Sequence, residues 1–220
     1  MARGSLTEGG RRPADKSKGS GSRSREQDIL AAAVDIFHAN GYSATSVDDV
    51  ANSVGILKGS LYYYIDSKED LLQRIVEEVH EDVEEIIREA LARTDLSPLV
   101  RLAEYLRTQV DYNVRNIKRV RVYYHDYEQL SPTRLASVRK SRRVNEQSIV
   151  ALVKEAKEAG EIPASMNERL ATKTVFATIT WMYTWFKPGG GVSGKEFGDF
   201  CADFVVNGLR GSGAPAPAKN

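Results

Sequence analysis

Cysteine is almost missing from this sequence. Cys201 stands alone among 220 residues, so no disulfide closes within one chain and no CxxC metal or redox motif exists. It is expected to pack as a small apolar residue. Histidine is nearly as scarce. His38, His80 and His125 are widely separated, with neither an HxxxH spacing nor a cysteine partner, which argues against a metal site. No glycine-rich phosphate loop follows a strand and no GxSxG elbow occurs. The acidic run Glu77, Glu78, Glu81, Glu84 and Glu85 has the pattern of a solvated helix face. No catalytic constellation and no cofactor motif stand out, so a protein that is not an enzyme is expected. Long apolar runs are absent as well. The most apolar stretch, Thr174–Phe186, is too short to span a bilayer and carries four threonines. The N-terminus lacks the apolar run of a signal peptide. A cytoplasmic protein without a membrane partner is expected.

Charge of either sign is not in excess, since 31 basic and 30 acidic groups leave a net of +1. Its distribution is uneven. Residues 1–25 hold Arg3, Arg11, Arg12, Lys16, Lys18, Arg23 and Arg25 against Glu8 and Asp15, a net of +5, so the remainder is mildly acidic. A solvated tail and an arm for a polyanion both fit this asymmetry. Residues 1–24 are rich in Gly, Ser and Arg with few apolar groups, and 211–220 read alike. Both are expected to be disordered, because they cannot bury enough surface to offset ordering entropy.

Between these ends no strand alternation appears, and apolar residues recur at helical spacing. Ile29, Leu30, Ala33 and Phe37 mark one face of a helix from about Arg25 to Asn40, stopped by Gly41. Ser46 with Asp49 makes a capping-box-like start for a second helix, whose inner stripe is Val47, Val50, Ala51 and Val54 and whose end is Gly55. A short third helix is expected at 58–64. A fourth is capped by Ser67, carries Glu69 and Asp70 in its first turn, and runs to about Arg93. Further helices are expected at 98–117, 118–129, 132–160, 167–186 and 193–209, the penultimate one stopped by Pro188-Gly189-Gly190-Gly191. The fold class is all-α.

The segment 46–64 is the most informative. Two short helices meet at a tight Gly55 turn, small Ala51 lets the second cross close to the first, and Val50, Val54, Ile56 and Leu61 supply a mini-core. This is the anatomy of a helix-turn-helix, whose second helix enters the DNA major groove. With Leu61 and Ile65 inward, Lys58, Gly59, Ser60, Tyr62 and Tyr63 are left outward, where hydroxyls and a cation can meet base edges and phosphates. A plain helical hairpin inside a bundle is the competing account. It does not explain three consecutive tyrosines, Tyr62–Tyr64, which cannot all be buried on one short helix.

The stretch Gly55-Ile-Leu-Lys-Gly-Ser-Leu-Tyr-Tyr-Tyr-Ile-Asp-Ser-Lys-Glu-Asp-Leu-Leu72 resembles the signature of TetR-family transcriptional regulators. Upstream, Ala32–Phe37, Gly41-Tyr42, Thr45-Ser46-Val47 and Val50-Ala51 match as well. The match spans roughly 50 residues by this motif comparison. Leu57, Tyr64 and Ile65 depart from it, standing where the family usually has Ser, His and Phe. The resemblance implies a three-helix DNA-binding domain at 25–74 and a helical ligand-binding and dimerisation domain at 75–210. It implies a homodimer on a palindromic double-stranded operator, released by a small-molecule effector. It places Lys58, Gly59, Ser60 and Tyr62 at the groove and Tyr63 and Tyr64 on phosphates or base edges. Thr45, Ser46 and Lys68 lie where the backbone would be clamped. The basic arm then fits two roles, a contact along the minor groove or backbone and a leader with no specific function. Repressor and activator are not distinguished.

In the C-terminal half, Trp181-Met-Tyr-Thr-Trp185-Phe-Lys187-Pro-Gly-Gly190 resembles a segment of TetR relatives that sense acyl-CoA thioesters, among them actinobacterial repressors of fatty-acid and sterol-ring breakdown. An aromatic wall ending in a cation suits an acyl group with a charged handle. An aromatic dimer core followed by a loop is the alternative. Tyr105, Tyr124 and His125 join Trp181, Trp185 and Lys187 as candidate effector contacts, although a histidine beside Asp126 is more often simply hydrogen-bonded within the fold. The last two helices carry the candidate dimer residues Phe176, Ile179, Met182, Phe197, Phe200 and Phe204. The rival reading is a helical acyl-CoA-binding protein or enzyme without a DNA function.

Overall fold

Every regular element among the described residues is a helix. The computed structural model describes residues 18–211. In chain order these are α1 (Lys18–Asn40), α2 (Val47–Ser53), α3 (Lys58–Leu61), α4 (Lys68–Ala92), α5 (Pro98–Arg115), α6 (Ile117–Asp126) with a 3₁₀ turn at Tyr127–Gln129, α7 (Pro132–Glu158), α8 (Glu168–Thr180), α9 (Met182–Trp185) and α10 (Gly194–Arg210). None is long and apolar enough to cross a membrane.

Two differences from the expected boundaries carry meaning. First, α1 begins at Lys18, so the last part of the segment expected to be disordered is helical; residues 1–17 of the basic arm and 212–220 of the tail lie outside the described residues. Second, the helix expected at 167–186 breaks at Trp181 into α8 and α9. Threonines crowd this stretch, and Thr174 and Thr178 turn their hydroxyls back onto the carbonyls of Leu170 and Thr174, a habit that bends helices. Asn113 of α5 then takes the Ile179 carbonyl with its side-chain amide at 3.3 Å, drawing that acceptor toward a neighbouring helix.

Two cores follow from the apolar periodicity. Ile29, Leu30, Ala33, Val34 and Phe37 of α1 close with Val50, Ala51, Leu61, Ile65 and the first half of α4 into a small N-terminal core. The second half of α4 joins α5, α7, α8 and α10 in a larger one around Leu102, Tyr105, Leu106, Ile149, Leu152 and Val175. Helix α4 spans both, with Leu71, Leu72, Ile75 and Val76 in the first and Ile86, Ile87 and Ala90 in the second. Helix α6 also reaches the N-terminal core through Val122 and Tyr123. Cys201 is fully buried in the larger core, and burial pushes its thiol up to about 11, so it stays protonated and unreactive near neutrality.

Candidate DNA-reading surface and effector cavity

The sequence between α1 and α4 builds a projecting helix. Gly41 and Gly55 adopt φ of +83° and +67°, the left-handed backbone that a turn requires and a Cβ disfavours. Ser46 caps α2 with a complete capping box, its hydroxyl accepting from the Asp49 amide while Asp49 accepts from the Ser46 amide at 2.7 Å. Arg25 of α1 donates to the Val54 carbonyl at 2.8 Å and so holds the end of α2 and the turn. Leu57 occupies the N-cap of α3 with no side-chain hydrogen bond, as its apolar side chain requires. Leu61 and Ile65 are buried at 0% and 3% exposure, which fixes which face of α3 turns inward.

The outward face is therefore polar and aromatic. Tyr63 is 89% exposed and Tyr62 47%, whereas Tyr64 packs partly against the N-terminal core. Gly59 is exposed, and a Cβ built on it would meet nothing within 4 Å. Ser60 is half-buried beside it. α3 ends at Leu61 rather than at residue 64, with Tyr62–Tyr64 continuing as turn. Lys58 pairs with Asp48 of α2 at 2.9 Å. Lys68 donates to the carbonyls of Tyr42 and Thr45 at 2.9 and 2.8 Å and lies 4.3 Å above the Tyr42 ring. Thr45 is buried and donates to the Gly41 carbonyl. Lys68 and Thr45 thus shape the loop before α2, and only one of the three Lys68 N–H groups remains for another partner. Arg25 and Leu57, the latter 80% exposed at the tip of α3, are the residues that sequence reasoning did not single out. The first pairs across 29 positions, and the second appeared only as a departure from the family pattern.

Farther along α4, a cavity of about 230 Å³ opens between α4, α5, α6, α7 and α8. Val79, Val83, Val120 and Phe176 give it apolar wall, and His80, Gln109, Asn113, Tyr124, Asn145 and Arg142 give it polar groups. His80 shares a 3.0 Å hydrogen bond with the Tyr123 hydroxyl. Burial, with the Arg142 charge adding to it, pulls the imidazole down to about 4, so it is neutral at pH 7. Burial likewise pushes the Tyr123 and Tyr124 phenols up. Tyr124 stacks on Tyr183 with centroids 5.2 Å apart.

Of the six effector contacts expected from sequence, Tyr124 alone lines this cavity. Tyr105 is sealed in the larger core at 1% exposure. The side chain of His125 is exposed and hydrogen-bonded to Asp126 at 3.1 Å, facing a cleft between α1 and α6. Trp181, Trp185 and Lys187 lie on the surface, the two indoles 65% and 48% exposed. The face of this segment that meets the cavity carries Lys173, Phe176 and Thr180, so Trp181 and Trp185 fall on a different face. The six expected dimer residues also separate. Phe200 and Phe204 are exposed at 63% and 61% and stack on each other, and Phe176 and Phe197 are half-buried. Ile179 and Met182 are buried in their own chain's core, so they are not on a free surface. Among the described residues no group of three His, Cys, Asp or Glu side chains could hold a metal ion.

A helix-turn-helix packed on a larger helical domain, with α4 and α7 entering both cores, is the architecture of a DNA-binding regulator. Comparison with known proteins agrees. Residues 29–75 match the family described as bacterial regulatory proteins, tetR family, and residues 95–209 match the tetracyclin repressor-like C-terminal domain. The chain belongs to the TetR family. It is 26% identical over 187 residues to the transcriptional repressor KstR2 of Mycolicibacterium smegmatis, covering 84% of this chain and 91% of that one. It is 25% identical to the fatty acid metabolism regulator protein of Bacillus subtilis, covering 73% and 84%. Among solved structures, the ketosteroid transcriptional regulator KstR2 of Mycobacterium tuberculosis superposes with a TM-score of 0.80 at 23% identity, covering 86% of this chain and 96% of that one. AibR, solved with isovaleryl coenzyme A and operator DNA, superposes at 0.75 with 22% identity, covering 83% and 98%.

Proposed function

We propose that this protein is a dimeric transcriptional repressor that binds operator DNA through α3 and is released by an acyl-CoA thioester held in the α4–α8 cavity. It acts by binding and not by catalysis. The observation that carries the DNA assignment is the outward face of α3 and the turn after it, where Ser60, Tyr62 and Tyr63 follow Gly59 while Leu61 anchors the opposite side in the core. Hydroxyl and aromatic groups on a short projecting helix suit the edges and phosphates of a major groove. Bound DNA would compete for Lys58, now paired with Asp48.

The effector class is supported by the cavity and its rim. At about 230 Å³ it is smaller than sites that enclose a whole drug-sized ligand, commonly ~300–1,000 Å³, so it suits an acyl end whose nucleotide stays outside. Arg139, Arg142 and Arg143 occupy one face of α7 by their spacing, and Arg142 borders the cavity. Such a cluster fits the phosphates of coenzyme A. The relatives named for fatty-acid, ketosteroid and isovaleryl-CoA chemistry support the same class. Exposed Leu170, Trp181, Trp185, Phe200 and Phe204 on α8, α9 and α10 supply the apolar surface for pairing two copies.

Coupling would run along α4, which lines the cavity with Val79, His80 and Val83 and enters the DNA-binding core with Leu71, Leu72 and Ile75. An effector shifts the DNA equilibrium only if it binds the two α4 positions unequally. The test is fluorescence anisotropy with the DNA upstream of the protein's own gene, across a salt series. Binding should weaken steeply with salt as phosphate contacts release counterions, and isovaleryl-CoA or longer acyl-CoA should release the DNA. Salt-independent or absent binding refutes the repressor reading. Unchanged binding across the thioesters refutes the effector class.

A further inference from the structure

The larger core contains an amide relay whose last atom has no partner. Gln109 and Asn113 lie one turn apart on α5 and both line the cavity. Asn113 Nδ2 donates to the Ile179 carbonyl at 3.3 Å and approaches the Met182 Sδ at 3.6 Å. A backbone carbonyl and a thioether can only accept, so the orientation of the Asn113 amide is fixed. Its Oδ1 must then face Gln109, whose Nε2 donates to it at 3.0 Å. That in turn fixes the Gln109 amide and leaves Oε1 buried without a hydrogen-bond partner in a residue only 4% exposed. A flip of either amide would set two oxygens or two NH₂ groups against each other.

We propose that the effector's buried end carries a neutral hydrogen-bond donor, a hydroxyl being the smallest, which Gln109 Oε1 receives. This deepens the effector assignment above and rests on its choice of cavity. The donor should be neutral because of the charges around the site. Arg142 borders the cavity, Lys173 is held by Glu146 at 3.1 Å, and His80 is uncharged at neutral pH. Glu146, the one carboxylate among the lining residues, is already paired with Lys173, so an ammonium there would face Arg142 without a free counter-charge. A purely hydrocarbon acyl end would leave the already buried Oε1 unsatisfied and forgo the hydrogen bond that its hydroxylated analogue makes.

Two matched sets of probes test this on the full-length protein. Benzyl alcohol, ethylbenzene and benzylamine share one skeleton and differ at one end in hydroxyl, methyl and ammonium; their affinities are read by NMR titration. 3-Hydroxybutanoyl-CoA and butanoyl-CoA form the thioester pair, read by calorimetry. The hydroxylated member of each set should bind at least about tenfold tighter, a discrimination of about 1.4 kcal/mol. Gln109→Leu should abolish or reverse the preference. Equal affinities, a preference for ethylbenzene or benzylamine, or a hydroxyl preference that survives in Gln109→Leu would overturn the proposal. The wild-type ratios decide alone if the variant does not fold. Benzyl alcohol preferred while neither thioester binds would keep the donor proposal and remove the thioester reading. Thioesters bound without discrimination would do the reverse, and no binding by any probe would overturn both.

Discussion

Lys68 shows how a residue placed by motif acquires a second role once its neighbours are known. Two of its N–H groups hold the Tyr42 and Thr45 carbonyls, so Lys68→Ala should cost stability as well as DNA affinity. Leaving buried acceptors unpaired costs about 1–3 kcal/mol, and thermal denaturation beside DNA titration should show both losses. A variant with unchanged melting temperature would mean that the clamp contributes nothing to the fold. His80 carries a pH dependence. Its folded value lies near 4 against an ordinary 6.5, because burial and the Arg142 charge disfavour the imidazolium. The unfolded chain therefore binds this proton first, and stability rises with pH across that window. Between pH 7 and 5 the loss from this group is on the order of 2 kcal/mol. His80→Gln, which keeps a partner for Tyr123 but cannot titrate, should flatten that slope in urea denaturation followed at each pH. An equal slope in the variant would place the proton elsewhere.

Among the elements, α3 is the one whose orientation decides the function. Leu61 and Ile65 turn inward because they match the apolar spacing of the core, and Tyr62 and Tyr63 are left to the outside. That much is legible in the sequence, as are the caps at Ser46 and Ser67 and the Gly55 turn. Gly59→Ala is the sharpest test of the outward face. The added methyl meets nothing in the protein and improves helix propensity by about 0.8–1 kcal/mol, so the melting temperature should hold or rise. DNA affinity should fall at least about tenfold, or by about 1.4 kcal/mol, if the groove wall approaches this backbone. Tight DNA binding by the variant would move the reading surface away from Gly59. The C-terminal elements were less legible. Trp181 and Trp185 read as a cavity wall in the sequence, but Lys173, Phe176 and Thr180 take that face and both indoles lie outside. Which face turns inward is set by packing against distant helices, as where Asn113 of α5, 66 residues earlier, donates to the Ile179 carbonyl. Periodicity along one segment does not carry that information.

At the scale of the whole molecule, the proposed repressor needs two copies that hold their α3 helices at one spacing. Phe200 and Phe204 form a stacked, exposed pair on α10 with no role in their own chain's core. Phe200→Asp combined with Phe204→Asp should yield a folded monomer by light scattering and lose operator binding, since one half-site supplies only part of the contacts. A double variant that remains dimeric would place the interface on another face. Helix α4 and Arg121 tie the two cores together. Arg121 donates to the carbonyls of Tyr183 and Phe186 at 2.7 and 3.1 Å and its guanidinium lies 3.3 Å from His38 of α1. Through it, the segment beside Tyr124 is linked to the DNA-binding domain.

The amino-acid order by itself determined the helical class, the helix-turn-helix and the outward Tyr62 and Tyr63, because those depend on spacing within a few turns of one chain segment. Which aromatics line a cavity and which lie on the surface, and how Gln109 comes to have an unpaired oxygen, were decided only when distant helices packed. Burial and hydrogen-bond partners in the C-terminal domain are set by residues 40 to 70 positions away, such as Tyr123 for His80 and Ile179 for Asn113, and local patterning has no term for them.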